Sequence, residues 1–232
     1  MKKISFFLFF CFILLSYDAS ASWWKTALAD ASGAFVGACE GSTFGPYGSA
    51  AGAVLCGAYA SVSSSKGLIP VNPMDAPSLP FNPFEMVGKK HNEVVLNYKG
   101  GPVVDFEYLK NLCVKANSKS KEVDFSKFTP ISYEKLKAES AAISLQKFDT
   151  SDELCGILNT RLKNDASRAF AKTSIEALYR CSESISDFNR IIVGIDANLA
   201  KSSLDKEDVV KLQLFIAVFC HSANLWSNTF KG

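Results

Sequence analysis

Gly33, Gly37, Gly41 and Gly45 stand four residues apart, and after Pro46-Tyr47 the same step resumes at Gly48 and Gly52, in a stretch whose one charge is Glu40. At 3.6 residues per turn, residues four apart form one ridge of a helix, so a glycine ladder is a groove into which another backbone can come close. It constrains the fold to helix-on-helix contact and implies no reaction. The ladder predicts two helices, Lys25 to Phe44 and Gly48 to Ser63, joined by Gly45-Pro46-Tyr47-Gly48. Pro46 cannot continue the first helix but suits the start of the second. The second, of about 16 residues, measures roughly 24 Å, short of a hydrocarbon core of ~30 Å. Packing within the chain, association with a partner helix or a second copy, and membrane insertion are the three uses such a ladder has.

The start of the chain sets its compartment. Met1-Lys2-Lys3 is basic, Ile4 to Leu15 is apolar or small, and Ala19-Ser20-Ala21 is a small-x-small cleavage site, which together read as a secretory signal peptide over residues 1–21. Cys11 lies inside the apolar run behind Phe9-Phe10, which disfavours lipidation, and cleavage is expected before Ser22. The expectation is an exported protein, periplasmic or secreted. Removing the signal leaves 23 basic against 22 acidic side chains and six cysteines. Near-neutral balance offers no argument for nucleic acid. Export permits disulfides, and the even count favours them among Cys39, Cys56, Cys113, Cys155, Cys181 and Cys220, with no pairing fixed by spacing. A Cys39 to Cys56 bridge is awkward, because Cys39 is rotated by roughly 200° from the Gly37 ridge. At least one of the two is expected to reach the later helices.

Composition divides the mature chain. Residues 22–65 are rich in Gly, Ala and Ser and carry only Lys25, Asp30 and Glu40; residues 66–83 hold Pro70, Pro73, Pro77, Pro80 and Pro83. Repeated proline fixes φ and removes donors, so the second zone reads as an extended connector. From residue 84 to 232 helical periodicity returns. Asn82-Pro83 with Glu85 predicts a capped helix whose stripe is Phe84, Val87, His91, Val94, Val95 and Tyr98. Further helices are expected over Val104 to Ala116, from a Ser132 cap through Gln146, from an Asp152 cap, and over Ala166 to Lys201 with a break near Cys181 to Ser184. A last helix from Lys206, capped by Asp205, is apolar on most of its circumference and is expected to be buried among the others. The fold class is all-α: a glycine-rich helical hairpin plus a disulfide-stapled multi-helix domain.

Few residues suggest chemistry. Ser132-Tyr133-Glu134-Lys135 fits S-x-x-K, but the companion S-D-N and K-T-G motifs are absent and Ser132 is explained as a helix cap. His91 and His221 are the two histidines, both on apolar faces, with no H-E-x-x-H, paired C-x-x-C or G-x-S-x-G around them. No catalytic residue, cofactor or metal is expected; His91 with Asn92 is the candidate polar site.

Ala29-Asp30-Ala31-Ser32-Gly33-Ala34, Gly45-Pro46-Tyr47-Gly48-Ser49-Ala50-Ala51-Gly52-Ala53, Asn82-Pro83-Phe84-Glu85-Met86-Val87-Gly88, His91-Asn92 and Ala217 to Trp226 resemble a group of uncharacterised exported bacterial proteins. These have a Gly-rich N-terminal segment followed by an Asn-Pro-aromatic…Val-Gly…His-Asn helix. The glycine segment is also similar to glycine-zipper segments of envelope proteins and to GxxxG helices of two-peptide bacteriocins. None of these resemblances implies a reaction. The expected function is a non-enzymatic exported protein whose ladder mediates close helix packing with itself, a partner or a membrane. The alternatives are a ligand-binding or enzymatic domain with a pocket near His91, and a bacteriocin-like membrane-active protein.

Overall fold

The computed structural model describes residues 22–66, 68–101 and 103–229. Residues 1–21, on which the signal-peptide expectation falls, lie outside the described residues. Those described form an all-helical structure without a strand. Its helices are α1 (Trp23–Gly41), α2 (Gly45–Ser64), α3 (Glu85–Asn97), α4 (Phe106–Asn117), α5 (Pro130–Ser144), α6 (Ser151–Asn159), α7 (Asp165–Tyr179), α8 (Ile185–Ala200) and α9 (Lys206–Trp226), with one 3-10 turn at Ser42–Phe44.

Local chemistry explains most boundaries. Ser22 accepts a hydrogen bond from the Lys25 amide and caps α1. Asp105, Asn164, Ser184 and Asp205 cap α4, α7, α8 and α9 in the same way, each satisfying amides that have no partner inside the helix. Three expected caps fall elsewhere. Thr129, not Ser132, caps α5, because Pro130 occupies the first helical position and moves the start back. Thr150, not Asp152, caps α6 in a reciprocal box with Glu153. Asn82 accepts from the Phe84 amide at 2.9 Å and donates to the Gln213 carbonyl at 2.9 Å, so it fastens the connector to α9, and α3 begins at Glu85 without a side-chain cap.

Helix α9 is buried continuously from Lys211 through Trp226, as a helix apolar nearly all round must be. Around it lie two hydrophobic clusters, and each draws on α1 or α2 as well as on later helices. In one, Trp24 stacks edge-on against Tyr179 and Phe188 at 5.2 and 5.9 Å and meets Phe219 at 5.3 Å, locking the start of α1 to α7, α8 and α9. In the other, Val54, Leu55 and Cys56 pack with Val87, Leu109, Cys113 and Leu136.

The cysteines correct the stapling expectation: Cys39, Cys56, Cys113, Cys155, Cys181 and Cys220 are all free. Each acts as a small hydrophobe in an interhelical contact. Cys56 does reach a later helix, but by a contact of its Sγ with the Leu136 carbonyl at 3.7 Å, and Cys220 Sγ lies 3.8 Å from the Pro77 carbonyl. Burial pushes the thiols of Cys39, Cys56 and Cys220 up to about 12, which removes thiolate reactivity.

Candidate functional site

The ladder residues meet across α1 and α2 in antiparallel order. A β-carbon placed on Gly37 would stand 2.1 Å from the Gly52 carbonyl oxygen, and one on Gly52 would stand 2.0 Å from that of Gly37. One turn away, Gly41 faces the Gly48 carbonyl at 2.2 Å; in the other direction Gly33 faces that of Cys56 at 2.5 Å. Each step of four along α1 is therefore answered by a step of four backwards along α2. Gly45 does not belong to this seam: nothing lies within 4 Å of the added carbon, and its φ of +79° assigns it to the turn instead. Gly57 and Gly88 belong to close contacts although they are outside the ladder. A β-carbon added on Gly57 would stand 3.0 Å from the His91 ring, and Gly88 lets α3 approach the Ala217 carbonyl of α9, 2.4 Å from the added carbon.

At the junction of α1, α2, α3 and α9 lies a polar knot. Asp30 is fully buried; its Oδ2 accepts from Ser61 at 2.8 Å, from Ser222, and from Trp226 Nε1 at 3.3 Å. His91, also fully buried, has Nε2 3.7 Å from the same oxygen. Its Nδ1 faces Asn92 Oδ1 at 3.0 Å, and Asn92 Nδ2 donates to the His221 carbonyl at 2.9 Å. Burial pushes the Asp30 carboxyl up to about 7 against the pull of its three donors. It pushes His91 down to about 4, although Asn92 and the Gly57 backbone favour the cation. His221 is also depressed to about 4, by burial first and then by Lys89. In a low-dielectric interior the charged form of each group is the costly one, so the carboxyl holds its proton longer and the imidazoles lose theirs sooner.

The knot contains a serine, a histidine and an acid but not their catalytic arrangement. Both hydroxyls donate to the carboxylate instead of the imidazole, so no nucleophile is hydrogen-bonded to a base. Asp30 Oδ1 and His91 Nε2 have no hydrogen-bond partner and no exposure, and none of the described clefts is lined by these residues. The sequence pointed to His91 and Asn92 and missed Asp30, Ser61, Ser222 and Trp226. The available signal was Asp30 itself, a lone carboxylate among Ala, Ser and Gly between Lys25 and Glu40.

The S-x-x-K pair lines a cleft of about 260 Å³ with Cys39 and Glu40. Lys135 is bound to Glu40 at 2.6 Å, and that carboxylate holds the ammonium in its charged form. A lysine so held cannot take the Ser132 proton, and Ser132 Oγ pairs with Thr129 Oγ1 at 3.0 Å. Among the described residues no group of three or more His, Cys, Asp or Glu side chains is placed to hold a metal. Comparison with family models, with curated proteins and with solved structures finds no match.

Proposed function

We propose that this chain is an exported, non-enzymatic helical protein that uses its glycine ladder as an internal seam and works through its outer surface. The observation that carries the reading is the Gly37 to Gly52 approach. The ladder's groove is filled by the chain's own backbone, so it offers no free ridge to a partner helix. The sealed Asp30 and His91 knot supports a structural role for the polar core and argues against the pocket near His91.

A second reading is favoured by one specific observation. Helix α2 carries no charged side chain and has 20 residues, about 30 Å, and α1 has 19, about 28 Å; both are close to the hydrocarbon thickness of ~30 Å. The mid-helix charge of α1, Asp30, has its carboxyl near neutrality. Small-residue packing needs no water to drive it and survives in lipid, so an acid-triggered transfer of this pair to a membrane is the competing function. Against it, the described helix long and apolar enough to cross a membrane is α9, in which an 18-residue window has mean hydropathy 1.4 and is 89% buried.

Liposome flotation of the mature protein, at neutral pH and at about pH 5 where a carboxyl titrating near 7 is protonated, separates the two. Under the first reading the protein stays in the soluble fraction at both values, with no leakage of vesicle contents. Flotation with leakage in acid replaces the first reading by the second.

A further inference from the structure

Helix α3 also borders a different kind of feature. Between α3 and α4 runs a cleft of about 450 Å³, within the range of small-molecule sites. Its apolar lining is Val94, Leu112 and Ala116, and its cations are Lys90, Lys115 and Lys119. The one carboxylate in the lining, Glu93, is already engaged: Lys90 Nζ donates to its Oε2 at 2.7 Å and to the Ala116 carbonyl at 3.2 Å. Lys115 and Lys119 are exposed and have no carboxylate partner among the described residues. Of the neutral donors, Asn97 Nδ2 already donates one hydrogen bond to the Glu93 carbonyl and Ser118 Oγ donates to that of Lys115.

What the cleft offers a ligand is therefore two unpaired ammonium groups at its rim and an apolar wall behind them. We propose that this cleft binds a small amphipathic anion: a carboxylate, sulfonate or phosphate head on Lys115 and Lys119, and an apolar body against Val94, Leu112 and Ala116. The head alone gains little, because exposed ion pairs are weak in water. Burial of the apolar body supplies the rest, so the two parts are required together.

The test uses the full mature protein with anilinonaphthalene sulfonate as fluorescent probe, decanoate as amphipathic competitor and inorganic phosphate as head-only competitor. The expected result is saturable binding at one site, displaced by decanoate and not by phosphate at the same concentration. Lys115→Glu with Lys119→Glu should weaken it at least tenfold while the thermal melt is unchanged. Because Lys115 also offsets the dipole at the end of α4, Lys119→Glu alone, beyond that helix, is the second variant, with an expected loss of several-fold. Wild-type affinity in Lys119→Glu overturns the site, and equal displacement by phosphate overturns the amphipathic ligand.

Discussion

Asp30 is the residue on which the largest single electrostatic cost in the core falls. Its carboxyl titrates near 7 in the folded chain against 3.8 when solvated. The folded state therefore binds the extra proton, and the group's cost is absent below the solvated value and grows as pH rises, at roughly 1.4 kcal/mol per pH unit up to the folded value. His91 and His221 act in the opposite sense. Their folded values of about 4 lie below the ordinary 6.5, so stability is lost as pH falls from 6.5 towards 4. Asp30→Asn keeps the size and an acceptor oxygen while removing the ionisation. Urea denaturation should show the variant gaining on the wild type by about 2 kcal/mol between pH 5 and pH 7. It should also show a steeper net loss in acid, because the two histidines are no longer offset. A stability difference that stays flat between those pH values would mean that Asp30 is solvated.

At the scale of the element, the glycines divide by what they face. A β-carbon on Gly37 or on Gly52 would clash with the other's carbonyl oxygen, and backbone cannot give way as a flexible side chain does. Gly37→Ala must push α1 and α2 apart, with a destabilisation of about 1–3 kcal/mol or more in a urea melt. Gly194, in the middle of α8, has nothing within 4 Å of an added carbon. Gly194→Ala should raise stability by about 1 kcal/mol through helix propensity. Equal effects of the two substitutions would remove the seam. The four-residue spacing was legible because it is a property of one helix. The role of Gly88 was not, since the partner it admits, the Ala217 carbonyl, is remote in sequence. Likewise the span of α2 was read as starting at Gly48, because the chain's own Gly45, at φ +79°, makes the turn and lets Pro46 begin the helix.

Across the described residues, six free thiols packed among the helices take the place of a stapled frame. Thiol titration of the denatured mature chain, without reductant, should count all six; in the native state fast reaction should be confined to the half-buried Cys181, since Cys39 is held as the unreactive thiol. A native disulfide in a non-reducing peptide map would contradict this arrangement. The all-helical class, the break between α7 and α8, the Asp205 cap and the burial of α9 follow from periodicity and local hydrogen bonding, which short stretches of sequence carry by themselves. What tertiary structure alone decided is which surfaces meet. It placed a carbonyl opposite each seam glycine, Ser222 and Trp226 around Asp30, the described cysteines without a disulfide between any two, and His91 in a sealed knot while a lysine-rimmed cleft opened along the same helix. Those outcomes depend on the register between helices distant in sequence, and a pattern that states only which face of a helix is apolar does not contain that register.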